Sequence, residues 1–299
     1  MTNEFLLEDR LTKIQSVINK YGEDNFYISF SGGKDSCVLS TLIDMSLPEN
    51  KIPRVFANTG IEYNMIVDFV KSRQQLDDRI IILTPSKNIK STLETVGYPF
   101  KSKFHSYYLN YYMKEKETGK FISCWRDYAF RLSNWHERLC PKKLQYQFSD
   151  DWKERFKISD LCCAELKEKP LKEYQKQSGK KYKIVGLMRD EGGRREKAVC
   201  LAFQGDKLKS FQPLVPVTKE WEEWFINTFN VAICDIYKPP YNFKRTGCKG
   251  CPFSRDIQAQ LDIMQEYFPE EKRQCELIWK PVYTEYRRIG YRLRKDDGL

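Results

Sequence analysis

The chain has 299 residues, 41% of them hydrophobic and 14% aromatic, with 51 Lys and Arg against 41 Asp and Glu for a formal charge of +10. That is enough for a large core, either one big α/β domain with additions or two domains, and no run approaches the ~20 apolar residues of a membrane span. The positive balance favours anionic partners such as nucleotides or nucleic acid.

Met1 to Arg10 lack the basic start and apolar centre of a signal peptide, so the expected location is cytoplasmic. In a reducing compartment the ten cysteines point to metal or redox chemistry rather than to five disulfides. Residues 5–20 repeat apolar positions at helical spacing (Phe5, Leu6, Leu11, Ile14, Val17, Ile18) and predict an amphipathic helix. Phe26 to Phe30 is an apolar, β-rich run that breaks into Ser31-Gly32-Gly33-Lys34-Asp35-Ser36, with a helix-like segment from Cys37 to Leu42. The glycines let the backbone turn sharply and leave its N–H groups uncovered. The opening helix adds free N–H groups and its positive dipole end, so the turn suits an anion. Lys34 adds a mobile cation, and Ser31 and Ser36 add hydroxyl donors. This is a strand–loop–helix phosphate cradle whose glycines lie too close together for a Walker A loop.

Arg54 to Gly60 reads as a short strand, Glu62 to Arg73 as a helix and Arg79 to Leu83 as another strand. Such a β-α-β-α-β order predicts a parallel sheet covered by helices, which binds ligands at the carboxyl ends of its strands. Asn58, Thr59, Gly60 and Glu62 would therefore sit near the nucleotide. From Gly97 to about 160 the chain turns basic and aromatic: Lys101, Lys103, Arg126, Arg131, Arg138, Lys142 and Lys143 alternate with rings that include Trp125, Trp135 and Trp152. This interleaving suits a nucleic-acid or nucleotide surface, and equally a helical insertion with a solvated basic face. A strand at Lys183 to Leu187 runs into a Gly/Arg-rich turn, where Gly186, Arg189 and Arg194 are candidates for contact with phosphate or sulfate. Phe211 to Val217 reads as extended, Trp221 to Phe229 as a helix, and Asp256 to Arg294 as a charged helical stretch.

Cys162-Cys163 and Cys248-Lys249-Gly250-Cys251 form the second strong signal. A C-x-x-C on a Gly-containing turn points two thiolates at one metal, and a second pair completes four ligands. With two histidines in the chain, mixed Cys/His zinc sites have few candidates. Four cysteines suit either a [4Fe–4S] cluster or Zn²⁺.

SGGKDS resembles the PP-loop of the ATP-pyrophosphatase superfamily, which cleaves ATP between the α- and β-phosphates. The order of pieces across residues 25–255 resembles the PAPS/APS (phosphoadenylyl-sulfate/adenylyl-sulfate) reductase family. The matching pieces are the glycine-rich loop, Asn58-Thr59-Gly60, Cys162-Cys163 with Pro170 after it, Gly186 to Arg195, Pro213 to Trp224, and Pro239-Pro240-Tyr241 leading to Cys248–Cys251. The resemblance implies an adenine nucleotide alpha hydrolase-like fold, a parallel twisted sheet flanked by helices, with a helical basic insertion and a C-terminal helical extension. The expected division is an α/β domain over 1–240, with the insertion at about 97–160, and a C-x-x-C segment with helical extension over 241–299. The APS-using branch implies a [4Fe–4S] cluster on Cys162, Cys163, Cys248 and Cys251.

Two departures shift the expected chemistry. The intact SGGKDS looks like that of an ATP-using member, whereas the reductases bind a ready-made adenylated sulfate. The reductase nucleophile lies in a Glu-Cys-Gly-(Ile/Leu)-His motif, and the nearest candidate here, Cys275 in Gln274-Cys275-Glu276-Leu277-Ile278, lacks its glycine and histidine. The better resemblance is to the iron–sulfur, ATP-using group that includes the DNA phosphorothioation ATP-pyrophosphatases and the tRNA thiolation enzymes. It implies ATP and Mg²⁺ in the cradle, catalytic roles for Lys34 and Asp35 (the latter orienting the loop or the metal), and DNA or tRNA as acceptor. A sulfur donor such as a cysteine desulfurase would supply the sulfur. Cys124, Cys140 and Cys200 are further candidate sulfur carriers. The competing readings are a PAPS/APS reductase acting through Cys275, and a non-catalytic nucleotide- or nucleic-acid-binding subunit of a modification or defence complex.

Overall fold

The apolar stripe near the start of the chain forms α1 (Asn3–Tyr21), capped by Thr2, whose Oγ1 accepts from Phe5 N at 3.2 Å, and it buries Leu6, Ile14, Val17 and Ile18. A computed structural model describes residues 2–121, 124–130, 139–152, 155–191 and 193–295. After α1 come β1 (Phe26–Ser29), α2 (Lys34–Ser46), β2 (Arg54–Ala57), α3 (Asn64–Leu76) and β3 (Ile80–Leu83), in the order expected of a parallel sheet. Then follow α4 (Ile89–Val96), α5 (Lys103–Thr118), α6 (Cys124–Phe130), α7 (Lys169–Ser178), β4 (Tyr182–Ile184), β5 (Leu201–Gln204), β6 (Lys207–Phe211) and α8 (Lys219–Thr228). The chain closes with α9 (Ile257–Tyr267), α10 (Pro269–Ile278) and α11 (Lys280–Arg288). None of the described helices is long and apolar enough to cross a membrane.

Two compact units interleave along the chain. The first comprises Met1–Asn58, Glu62–Pro85 and Lys169–Thr246; the second comprises Thr59–Ile61, Ser86–Glu168 and Gly247–Leu299.

The first unit holds a six-stranded sheet in the order β3-β2-β1-β4-β6-β5, parallel throughout except for β5, which runs antiparallel to β6 at the edge. Helices flank this sheet, giving the α/β class expected from the sequence. In β1, Ile28 pairs with Arg54 of β2 on one side and Ile184 of β4 on the other. The chain leaves β1 towards β2 and later returns on the opposite side, so strand order reverses at β1. A crevice opens at the carboxyl end of such a strand, and ligands of these sheets bind there. Ser31 to Ser36 begins at that point. The strand expected at 183–187 is shorter, and the extended segment from Phe211 turns after β6 at Gln212–Val215 and Leu214–Val217.

In the second unit a parallel bridge joins Tyr98 to Ile158, and α5 packs with α6. His105 is fully buried between Tyr128 Oη (2.8 Å from Nδ1) and Gln147 Oε1 (2.8 Å from Nε2). Burial pushes its pKa down to about 3, so it is neutral, with Nε2–H donating to Gln147 and Nδ1 accepting from Tyr128. The charged stretch from Asp256 divides into three helices because Pro269 and Pro281 sit at helix starts, where the missing N–H costs no intrahelical bond.

Candidate nucleotide site and cysteine set

At the carboxyl end of β1 the loop closes on itself through its serines. Ser36 Oγ accepts from Ser31 N (3.2 Å) and Ser31 Oγ (3.1 Å) and donates to the Gly33 carbonyl (2.8 Å), while Ser31 Oγ accepts from Gly33 N (3.3 Å). Gly32 has φ +70°, and a Cβ there would lie 2.7 Å from Val70 and 3.0 Å from Ile66 of α3, so this position admits only glycine. Lys34 is the first residue of α2, whose opening amides lack intrahelical partners and face the positive end of the dipole. The serines fix the turn and the helix supplies the donors, which is the arrangement a phosphate needs.

The loop's charged groups meet a residue that sequence reasoning missed. Glu222 of α8 is 2% exposed, its Oε2 lies 3.9 Å from Lys34 Nζ, and the Asp35 carboxyl acts on it electrostatically. Its Oε1 has no hydrogen-bond partner among the described residues. Burial first, and the Asp35 charge next, raise its pKa to about 8, so Glu222 holds on to its proton at neutral pH. Lys34 also lies 5.7 Å from the centre of the Tyr237 ring, and the Tyr237 hydroxyl bonds Thr246 Oγ1. Half-buried Arg195 completes the charged surroundings. Burial lowers its pKa, Arg245 adds to that, and Asp35 opposes it.

Other expected site residues fall in different places. Gly186 lies against the loop: a Cβ there would sit 2.9 Å from the Asp35 carbonyl oxygen. Asn58 follows β2 directly, its N–H donating to the Leu83 carbonyl at 2.8 Å, and Glu62 is buried in the same unit. Thr59 and Gly60 belong to the second unit, where Thr59 Oγ1 accepts from Ile61 N at 3.4 Å. Arg189 is exposed, with its Nε donating to the Ala198 carbonyl at 2.9 Å. The side chain of Arg194 lies outside the described residues.

All four cysteines of the expected ligand set lie in the second unit. Cys162 is buried, and Cys163, Cys248 and Cys251 are half-buried. The neighbouring Cys162 thiol pulls the Cys163 pKa down against burial, with help from Lys103 and Lys167, and Cys162 is pushed up in turn. Burial raises Cys251, and Cys248 and Cys163 add to the rise. The four sulfurs thus act on one another electrostatically. Among the described residues no three Cys, His, Asp or Glu side chains converge to hold one ion. In its chemistry the donor set, four thiols with one held as thiolate, fits a thiophilic centre.

Comparison with known proteins places this architecture. The phosphoadenosine phosphosulfate reductase domain family matches residues 25–131 and 108–254. The chain belongs to this family. With it comes membership of the PP-loop, adenine nucleotide alpha hydrolase-like superfamily. An uncharacterized protein of Methanocaldococcus jannaschii is 26% identical over 278 residues, covering 88% of this chain and 52% of that protein. This chain therefore spans about half the length of that relative. Similar solved structures include a phosphoadenylyl-sulfate reductase from Candida auris in complex with phosphate (13% identity, TM-score 0.45, covering 83% of this chain and 96% of that one). A U34-tRNA thiolase from Methanococcus maripaludis with its [4Fe–4S] cluster is also similar (14% identity, TM-score 0.42, covering 99% and 84%).

Within this reductase-domain chain, Cys275 does not sit as a nucleophile would. It is fully buried, burial pushes its thiol up to about 12, and its Sγ would lie 2.8 Å from a Cβ placed on Gly250. Cys140 is likewise buried and pushed up to about 12, and Cys200 lies 3.9 Å from Arg10 Nη1. The side chain of Cys124 lies outside the described residues. The described tryptophans of the 97–160 region pack inward: Trp125 stacks on Phe148 at 5.9 Å, and Trp152 meets Phe156 at 5.2 Å. Both tryptophans are buried, so among the described residues they build a core and do not offer stacking faces to bases. Trp135, Arg131 and Arg138 lie outside the described residues.

Proposed function

We propose that this chain is a PP-loop ATP pyrophosphatase that adenylates an acceptor for sulfur transfer to nucleic acid, with an iron–sulfur cluster on its cysteine set. The observation that carries this reading is the intact SGGKDS loop at the switch point of the sheet, with Lys34, Asp35, Ser31 and Ser36 gathered around the start of α2. Loop amides, both serine hydroxyls and Lys34 would hold the phosphates of ATP. An acceptor oxygen attacks the α-phosphorus, the bond to the bridging oxygen breaks, and its electron pair leaves with pyrophosphate. A sulfur nucleophile then displaces AMP from the acceptor.

Asp35 and Glu222 fit a Mg²⁺ ion, because Glu222 Oε1 is buried without a partner among the described residues, and they would hold it. Bound Mg²⁺ would neutralise charge on the leaving pyrophosphate. Cys162, Cys163, Cys248 and Cys251 would hold the cluster as its four thiolate ligands. The net charge of +10 supports a polyanionic acceptor, tRNA or DNA, with a cysteine desulfurase as the class of sulfur donor. The burial of Cys275 weighs against the reductase reading.

The cysteine assignment is tested by counting iron, acid-labile sulfide and zinc in chain purified without oxygen. About four irons and four sulfides, lost in Cys248→Ser, are expected for a [4Fe–4S] centre. A colourless chain with a single zinc would remove the cluster from the reading.

A further inference from the structure

The Cys248–Cys251 turn is buried in an unusual pattern. Its two cysteines are half-buried, while the lysine and glycine between them are buried, Lys249 at 3% exposure. A lysine inside a tight turn ordinarily reaches solvent. Here its Nζ lies 3.0 Å from Glu271 Oε2 of α10, and both side chains are shielded from water.

The backbone of the same turn is held by three aromatic side chains spaced as one helical face. Trp279 Nε1 donates to the Lys249 carbonyl at 3.0 Å, Tyr283 Oη to the Gly250 carbonyl at 2.5 Å, and Tyr286 Oη to the Pro252 carbonyl at 2.9 Å. Arg292 Nη1 donates to that same Pro252 carbonyl at 2.8 Å. All three aromatic residues are essentially fully buried. Gly250 lets the helix come this close, since a Cβ there would lie 2.5 Å from Tyr283 Oη. On the other side of the turn, Lys249 N donates to the Ile61 carbonyl at 2.7 Å.

We propose that Trp279, Tyr283 and Tyr286, with Glu271, form a clamp that positions Cys248 and Cys251. It grips the turn by its carbonyls and its lysine, fixing which edge of the turn faces outward, so both sulfurs are offered together to a thiophilic metal. Packing alone would need the rings but not their hydroxyls or the ion pair. The inference rests on the cysteine-set reading above for its metal, though not for its geometry.

Two measurements separate the clamp from that reading. In the metal-free chain, peptide-resolved alkylation by iodoacetamide is followed at Cys248 and Cys251 in wild type, Tyr283→Phe and Glu271→Gln. Tyr128→Phe, which removes a buried hydroxyl beside His105, controls for general loosening. Both clamp variants are expected to alkylate Cys248 and Cys251 about tenfold faster, with Tyr128→Phe at the wild-type rate. Unchanged rates in both clamp variants, or equal acceleration in Tyr128→Phe, overturn the clamp. In the second arm, Co²⁺ is titrated and its thiolate charge-transfer absorption recorded. Groups that orient metal ligands typically change affinity 10–100-fold, so Tyr283→Phe is expected to weaken Co²⁺ binding about tenfold, and Tyr128→Phe to leave it unchanged. A Co²⁺ affinity in Tyr283→Phe equal to wild type overturns the role towards metal. No Co²⁺ binding by wild type, or equal binding by Cys248→Ser, overturns the cysteine-set reading and that role with it; the clamp's geometry is then judged by alkylation alone.

Discussion

Glu222 is where the chemistry of the nucleotide site departs most from ordinary side-chain behaviour. Burial beside Asp35 raises its pKa in the folded chain to about 8, against about 4.5 for an ordinary glutamate. Lys34 and Asp35 of α2 face it, and Glu223 adds a like charge from its own helix. Below about 4.5 the group is protonated whether the chain is folded or not. Between about 4.5 and 8 only the unfolded chain gives up its proton, so stability falls as pH rises through that window and levels off above it. The wild-type Tm is therefore expected to fall relative to Glu222→Gln between pH 5 and pH 8, by roughly 5 °C or more. Thermal melts of both proteins across that range check this, and a constant difference would contradict it. Cys163 carries the opposite shift. With the Cys162 thiol lowering its pKa, it is expected to be the cysteine of the set alkylated fastest at pH 7 in the metal-free chain, and Cys162→Ala should slow it about tenfold. Mass spectrometry of the labelled peptides reads the outcome. Neither residue's state was legible in sequence. Trp221-Glu222-Glu223-Trp224-Phe225 announces a helix, but only its packing decides that Glu222 shares the buried side with Trp221 and Phe225 while Glu223 faces water. The signal that could have found Glu222 is its place within the arc set by those two rings.

Among elements, the unit formed by β1, the loop and α2 was the most legible, because glycine placement, an apolar strand and a polar break all act within a dozen residues. The contact that Gly186 makes with it was expected only as proximity to a phosphate. The structure gives it a steric basis as well, since a Cβ at 186 would press on the Asp35 backbone. Gly186→Ala is therefore expected to weaken ATP binding tenfold or more and to lower Tm by a few degrees, at the ~1–3 kcal/mol typical of overpacking. Gly247→Ala, where a Cβ meets nothing within 4 Å, should change neither. Calorimetric titration with ATP alongside thermal melts distinguishes the two variants. The basic, aromatic stretch was less legible. Interleaved rings and cations look alike whether the rings face bases or one another, and here Trp125 and Trp152 turned inward. The C-terminal helices were expected as one charged stretch. Their division at Pro269 and Pro281 follows from local chemistry, but their grip on the C-x-x-C turn depends on contacts some 30 residues apart in sequence.

At the scale of the whole molecule, the parallel sheet and the family follow from motifs distributed along residues 25–254, whereas the strand order and the interleaving of the two units do not. Thr59–Ile61 and Gly247–Leu299 join the unit of Ser86–Glu168 through long-range packing that no local pattern encodes. The proposed reaction draws on both units' chemistry, a phosphate cradle in one and a cysteine set in the other. The most direct test is to incubate anaerobically purified chain with Mg²⁺ and ATP labelled at the α-phosphate, with tRNA or fragmented DNA present. The expected result is pyrophosphate with an equal amount of label as AMP, carried on the nucleic acid until a sulfide donor is added and released as free AMP when it is, all of it dependent on nucleic acid and lost in Lys34→Ala. Labelled ADP in place of AMP, or no cleavage of ATP while adenylyl sulfate is reduced to sulfite with a thiol, would contradict it.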